Sequence, residues 1–435
     1  MNQHSATHVL PRTLLERHLQ AHLHQLLLEE PVLILTGARA VGKSVLVKVI
    51  AQANGVPLID LDDLATRNAV RADPSLFVAP ETLVCIDEFQ HVLSLLDAIK
   101  AELNRELRPG RYLLTGSTRY FSLPAASQAL TGRAHIINLW PLSQGEIRGH
   151  EEHFLDRLMA DPQGLVTAQE STTSRSDYES MVLAGGYPLA LQRPRGELRR
   201  RWFRDYVNLV VMRDVLEIRK VRQRAVVPEV LRRLASQTGQ VLNLTNLGQS
   251  IGVEQSTVND YVQLLESVFL VHRLEAYGRT LSSRVQHAPK IHLVDSGLAA
   301  FLLGVTHERL AQRDPATLTE FGHLLETFTV NDILKQAGWS QIAVRFSHFR
   351  FRERPEDRDG ESEVDIVCET DDGRVVGIEV KASSIVSGKD FKALRVLRDK
   401  LREQFIGGIV LSLGSRSYTV EDRLHVIPLD RLWVA

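Results

Sequence analysis

The first sixteen-residue stretch with a clear pattern is 14–29, where Leu15, His18, Leu19, Leu23 and Leu26 recur at helical spacing and predict an amphipathic helix. From Val32 the period changes. Short apolar runs at 32–35, 57–60, 83–86, 111–114 and 135–139 alternate with helical stretches at 43–53 and 91–106. An unbroken apolar run of that length suits a strand covered on both faces, and the alternation with helices predicts a parallel α/β sheet. Residues 141–225 read as helical and irregular, with a Thr/Ser-rich surface loop at 166–176. Residues 226–294 carry short helices and then two strand-like runs, and the last 115 or so residues read helix, strand, strand, strand, helix, strand. There is no internal repeat and no low-complexity tract.

The first strand–helix junction carries chemistry. Gly37-Ala38-Arg39-Ala40-Val41-Gly42-Lys43-Ser44, followed by Val45, matches G-x-x-x-x-G-K-S/T at every specified position and sits between a strand and the helix it opens. Backbone N–H groups of such a loop close around a β-phosphate, Lys43 reaches the β- and γ-phosphates, and the Ser44 hydroxyl can bind Mg²⁺. Residues 37–45 are therefore the expected ATP contacts. A later apolar strand, Leu83-Val84-Cys85-Ile86, ends in Asp87-Glu88 and resembles a Walker B element. Asp87 would enter the Mg²⁺ shell and Glu88 would orient or deprotonate the attacking water. A third strand ends in Thr115-Gly116-Ser117-Thr118-Arg119, which would place Ser117 beside the γ-phosphate as a sensor. Arg119 and Arg133 are candidates for an arginine finger acting on a neighbouring subunit, a role that implies a homo-oligomer; the other reading of each is a solvated or ion-paired side chain.

Together these motifs resemble an AAA-type P-loop ATPase. More closely, they resemble a prokaryotic group that joins such a module to a C-terminal domain of unknown function. The resemblance continues through Gly185-Gly186-Tyr187-Pro188, Arg213-Asp214-Val215, Asp295-Ser296-Gly297-Leu298 and Ile378-Glu379-Val380-Lys381-Ala382-Ser383. It implies an ATP-binding protein.

Residues 193–233 hold thirteen Arg or Lys against five Asp or Glu, with Arg199, Arg200, Arg201 and Arg204 around Trp202 and Phe203. This stripe could track a DNA backbone, or it could pack on acidic neighbours or a subunit interface. A helix is expected at 227–238. After it, Leu247, Ile251, Val253 and Val258 are spaced for a helix–turn–helix with Gly252 in the turn, and strands at 269–276 and 290–294 would supply a wing. The second helix of such a winged helix usually enters the major groove. Here no Arg or Lys lies between Gln255 and Glu266, which weakens direct base reading and leaves a protein partner open.

The C-terminal pattern places Glu326 in a helix 321–336, Asp365 in the strand 363–367, and Glu379 and Lys381 on one side of the strand 376–381. A polar Asp365 amid β-branched neighbours asks for a reason. Helix, three strands carrying Asp and then Glu-x-Lys, helix and strand resemble the PD-(D/E)XK nuclease fold, although Val364 stands where that pattern often has Pro. The resemblance implies that Asp365 and Glu379 bind Mg²⁺ or Mn²⁺, that Lys381 orients the water or stabilises charge, and that Glu326 completes the metal shell or acts as base. The plainer reading of Glu-x-Lys is an ion pair.

Composition narrows the class. The 435 residues are 44% hydrophobic and 24% charged, with 52 Lys and Arg against 53 Asp and Glu for a formal net charge of −1. That excludes a disordered, collagen-like or globally basic protein. Only two cysteines occur, Cys85 and Cys368, so neither a disulfide framework nor a Cys-based zinc site is available. There is no secretory signal pattern and no apolar run long enough for a bilayer, and a cytoplasmic location is expected. The expected architecture is α/β in four parts: an AAA-type P-loop ATPase domain (1–145), a helical basic linker or lid (146–225), a winged helix (226–294) and a PD-(D/E)XK nuclease-like domain (295–435). The expected function is a Mg²⁺-dependent ATPase acting on or near DNA. The rivals are an ATP-gated, metal-dependent DNA endonuclease and a nucleotide-dependent switch that binds a protein partner without cleavage.

Overall fold

The computed structural model describes residues 15–117, 130–211, 226–278, 288–352 and 361–434. Five parallel strands form the first sheet: β1 (Val32–Thr36), β2 (Leu58–Asp60), β3 (Val84–Asp87), β4 (Tyr112–Gly116) and β5 (Ala134–Asn138), in the order β2-β3-β4-β1-β5. β1, β3 and β4 are buried throughout, as their unbroken apolar runs require. The order inserts β4 between the strand that feeds the Gly-rich loop and the strand that ends in Asp87. Residues at the C-terminal end of β4 therefore stand between those two motifs.

The helix expected at 14–29 is observed as Leu19–Leu26, with Leu19, Leu23 and Leu26 buried. It stops short because Pro31 disfavours helical backbone before it, and residues 27–29 turn instead. His18 is not an apolar contact of this stripe: its Nδ1 lies 3.2 Å from Glu152 Oε2. The helix expected at 91–106 is Ser94–Arg105, preceded by a 3₁₀ turn, Phe89–His91, that follows the left-handed backbone of Glu88.

The helices Val227–Ser236, Leu244–Ile251 and Gln255–Ser267 follow, with a turn at Gly252. They carry a three-stranded antiparallel sheet, β6 (Gln240–Val241), β7 (Val271–Leu274) and β8 (Lys290–Leu293), in the order β6-β8-β7. The helix Ser296–Leu303 packs on the helices Arg175–Ala184 and Val227–Ser236. The last unit is the helix Pro315–Gln336 and a six-stranded mixed sheet. Its strands are β9 (Val344–Arg352), β10 (Glu361–Thr370), β11 (Val375–Lys381), β12 (Phe405–Ser412), β13 (Tyr418–Glu421) and β14 (Leu424–Pro428), in the order β13-β14-β12-β11-β10-β9. The sequence pattern did not separate the terminal hairpin β13–β14 from the strand before it.

The units are bonded to one another. Past β7 the chain pairs with β9, Tyr277 N donating to His348 O at 2.6 Å and His348 N to Glu275 O at 2.9 Å. Lys335 of the long helix donates to Leu142 O at 3.0 Å, next to the first sheet. One continuous apolar core runs from Leu33 through Val230 and Phe321 to Trp433.

The Arg-rich stripe divides. Arg199 is buried and spends its guanidinium on Ala190 O (3.1 Å) and Arg193 O (3.0 Å), so it is not free for a phosphate backbone. Phe203 and Tyr206 are buried and Trp202 stacks on Tyr206, whereas Arg201 and Arg204 face solvent. Arg213-Asp214-Val215 lies outside the described residues. Cys85 and Cys368 are both buried and free, and among the described residues no helix is long and apolar enough to cross a membrane.

Candidate functional site

The Gly-rich loop joins β1 to the helix Lys43–Ala53. Gly42 at the N-cap has φ +99°, a backbone that favours glycine, and as a glycine it offers no capping side chain to the first turn of the eleven-residue helix. Open helix N–H groups at the end of a loop form an anion site. Lys43 is buried and donates to Gly37 O and Ala38 O, each at 3.0 Å, which folds the ammonium across the loop. Behind the loop, Arg17 donates to Val41 O, Trp140 O and Glu146 Oε1, all at 2.8 Å, and Tyr206 OH reaches Arg39 O at 3.3 Å. These bonds hold the loop backbone in place, and Arg17 also lines the cavity onto which the loop opens.

Asp87 and Glu88 follow β3. Thr115 Oγ1 donates to Asp87 Oδ1 and accepts from Glu88 N at 3.0 Å. Burial raises the Asp87 carboxyl above its ordinary range, the hydrogen bonds from Ser44 and Thr115 offsetting part of it. Burial would also raise Glu88, but Lys43, Ser117, Gln90 and Arg39 outweigh it and hold its pKa below the usual value. Glu88 has φ +52°, which for a residue with a side chain costs on the order of 1–3 kcal/mol. Ser117 Oγ donates to Glu88 Oε1 at 2.6 Å and Gln90 Nε2 to Glu88 Oε2. The strained residue is thus aimed and clamped.

The loop, Glu88 and Ser117 open onto a cavity of about 510 Å³, whose far wall is Leu15, Leu142, Pro188 and Leu189. That volume lies in the roughly 300–1,000 Å³ range of small-molecule sites. The Ser44 hydroxyl, on the cavity, and the Asp87 carboxylate, at the end of β3, are hard oxygen donors of the kind Mg²⁺ takes. Arg39 to Ser44, Val45, Glu88 and Ser117 all line the cavity, and Gly37 and Ala38 contribute the carbonyls on Lys43. Arg133 is elsewhere: it precedes β5 at the opposite end of the sheet and donates to Asn104 Oδ1 at 2.6 Å, so it cannot reach this cavity in its own chain. Arg119 lies outside the described residues. Sequence reasoning assigned no role to Thr115, Gln90, Arg17 or Tyr206.

The C-terminal residues also converge. Glu326, Asp365, Glu379 and Lys381 line a second cavity of about 370 Å³. Lys381 Nζ donates to Glu379 Oε1 at 2.7 Å, and Asp365 Oδ2 accepts from Val380 N at 2.9 Å. The unforeseen member is Lys290, from β8 of the preceding unit. Fully buried, it donates to Glu326 Oε1 at 2.8 Å and Asp365 Oδ1 at 2.9 Å, with Glu363 Oε1 at 3.1 Å. Burial alone would lower the pKa of this ammonium, yet Asp365, Glu326 and Glu363 together raise it well above the ordinary value. Burial and the neighbouring Asp365 push Glu379 up to about 8 and Glu326 well above its usual range. Glu379 Oε2 and His292 Nε2 are buried without a hydrogen-bond partner, the latter 4.0 Å from Glu326 Oε1.

Comparison with known families places residues 29–148 in an AAA domain. Residues 175–309 match a domain of unknown function (DUF8612), and residues 321–432 match another (DUF4143). An uncharacterized protein of Mycobacterium tuberculosis is 25% identical over 415 residues, 95% of this chain and 83% of that one. An uncharacterized protein of Haemophilus influenzae is 23% identical over 236 residues, covering 52% of this chain and 54% of its own. Among solved structures, the Walker-type ATPase of Pyrococcus abyssi aligns with TM-score 0.40 at 15% identity, over 69% of this chain and 99% of that one. The family match makes residues 29–148 a P-loop ATPase domain of the AAA type.

Proposed function

We propose that this protein is a Mg²⁺-dependent ATPase whose nucleotide state is coupled to two appended modules acting on or near DNA. The observation that carries the reading is the meeting of Lys43, Ser44 and Glu88 at one cavity, with Asp87 next to Glu88 at the end of β3 and bonded to Thr115. Phosphates would lie on the backbone N–H groups after Gly42, and Lys43 would exchange two carbonyls for phosphate oxygens. Ser44 and Asp87 would hold Mg²⁺, which when bound neutralises phosphate charge. Glu88, kept ionised by Lys43 and aimed by Ser117 and Gln90, would orient and deprotonate the attacking water. An arginine from a neighbouring copy, Arg119 or Arg133, would complete the site in a homo-oligomer.

The element order helix, strand, helix, helix, strand, strand over 227–293 supports a winged helix. The convergence of Glu326 with Asp365, Glu379 and Lys381 of the inner strands β10 and β11 supports a PD-(D/E)XK-like fold. DNA is the partner proposed for both, in the cytoplasm. The buried Lys290 favours the switch without cleavage, with a DNA or protein partner, over the Mg²⁺- or Mn²⁺-dependent endonuclease.

The test is phosphate release and fluorescent-ATP binding by the purified protein, with Lys43→Ala and Glu88→Gln alongside. Lys43→Ala should abolish tight binding, and Glu88→Gln should bind ATP normally while turning over at least about 100-fold more slowly. A wild-type protein that neither binds nor hydrolyses ATP ends the proposal.

A further inference from the structure

A hard divalent cation takes oxygen ligands in numbers, and the C-terminal cluster offers them: single oxygens of Glu326, Glu363 and Asp365 lie within 4.8 Å of one another. The donors suit Mg²⁺ or Mn²⁺, but the space between them is taken. Lys290 Nζ is 2.8, 2.9 and 3.1 Å from those three carboxylates, and the side chain has no exposed surface. An ion bonded to Glu326 and Asp365 would share that volume with an ammonium of the same sign. The nuclease pattern provides one lysine, and Lys381 already fills that place on Glu379. Lys290 is a second one, for which the pattern has no role.

We infer that Lys290 is the resident cation of this cluster: it takes Asp365 Oδ1 while Val380 N takes Oδ2, so the C-terminal module holds no divalent metal on Asp365, with either Glu326 or Glu379, and works as a binding surface that does not cut. The ammonium arrives from β8, a strand of the preceding unit, whereas Glu326 comes from the helix Pro315–Gln336 and Glu363 and Asp365 from β10. One side chain thereby ties three elements together. Withdrawing it would leave the three acids without the cation they share. Without a metal there is no ion to lower the pKa of an attacking water, which is what phosphodiester cleavage on this fold would need. Substrate phosphates would instead meet the lysines at the mouth of the cavity, Lys381, Lys389 and Lys392.

Removing the ammonium should turn the cluster into a metal site. The donors left would be Glu326, Glu363 and Asp365, with the unpartnered His292 Nε2 beside Glu326. The probe is Mn²⁺ alone, titrated calorimetrically and by electron paramagnetic resonance into nucleotide-free full-length protein. Proteins compared are wild type, Asp365→Asn, Lys290→Ala and Lys290→Ala/Asp365→Asn, with Lys290→Met in case the smaller residue does not fold. The wild type should show no Mn²⁺ site that Asp365→Asn removes. Lys290→Ala or Lys290→Met should gain one, at least about 30-fold tighter than any wild-type binding, and the Asp365→Asn change should erase it. An Asp365-dependent Mn²⁺ site in the wild-type protein overturns the inference, whatever the variants do. So does a folded Lys290 variant that gains none. ATP is absent throughout, so the outcome is independent of whether the protein hydrolyses nucleotide.

Discussion

Asp295 offers the sharpest test of how the nucleotide cavity is held. Its carboxylate is 3% exposed, accepts from Gly186 N at 2.6 Å and from Leu298 N at 2.8 Å, and caps the helix Ser296–Leu303. The first bond fixes Gly185-Gly186-Tyr187-Pro188, the segment whose Pro188 and following Leu189 form the cavity's far wall. Asp295→Ala orphans two buried N–H donors, each worth about 1–3 kcal/mol. Burial also raises the Asp295 carboxyl above its ordinary range, so removing it relieves part of a desolvation cost. The net destabilisation should be about 2–4 kcal/mol. Asp295→Asn keeps one acceptor and turns an amide N–H toward the other donor, and should cost about half as much.

Urea unfolding followed by two probes gives the stability change, and fluorescent-ATP titration reads the cavity wall. The expected loss of affinity is about 5- to 30-fold for Asp295→Ala. Gly185→Ala attacks the same contact from the other side: with φ +67°, its Cβ would fall 2.2 Å from Asp295 Oδ1. The double variant should therefore lose much less than the sum of the two. A shift below about 0.5 kcal/mol for Asp295→Ala, or full additivity with Gly185→Ala, would refute the reasoning.

Three further outcomes are expected. Thr115→Val removes a donor to Asp87 and an acceptor for Glu88 N, and should slow phosphate release about 10- to 100-fold while ATP affinity changes by less than about threefold. Arg17→Met leaves Glu146 without its buried guanidinium partner and frees the carbonyl of Val41, and should destabilise the protein by about 2–4 kcal/mol in urea. Burial raises Asp332 to about 7 from 3.8, despite Lys335 beside it. The folded state then binds more protons than the unfolded chain between those values, so stability falls as pH rises from about 4 to 7, by at most about 1.4 kcal/mol per unit. Asp332→Asn should flatten that slope, and an unchanged profile would remove Asp332 as its source.

Much of the first unit was legible because its signals are local. The buried strands β1, β3 and β4 are each built on three or four consecutive apolar residues, and the P-loop and Asp87-Glu88 lie within a few residues of strand ends. Backbone geometry then fixes where they point. What escaped was set by strand order. Thr115 acquires its role only because β4 lies between β1 and β3, and no spacing along the chain states that. Arg17 and Glu146, 129 positions apart, form a buried pair that neither neighbourhood announces. The Arg199 stripe was legible as charge but not as burial: the carbonyls of Ala190 and Arg193 that take up its guanidinium lie on the turn before its own helix.

The second cluster shows the same limit in its strongest form. Asp365 and the Glu379–Lys381 pair were readable, since a polar residue in an apolar strand and an alternation of two are local patterns. Lys290 was not, because its surroundings in sequence, Lys290-Ile291-His292-Leu293, read as an ordinary strand with one charged end. Seventy-five residues separate it from Asp365, yet their side chains are 2.9 Å apart. The meaning of an acidic cluster depends on which cation fills it, and a chain can supply that cation from a distant strand. A local pattern therefore says little about the chemistry of such a cluster: Glu326, Asp365, Glu379 and Lys381 meet at one cavity as their spacing suggested, and Lys290, outside that pattern, is bonded to two of them.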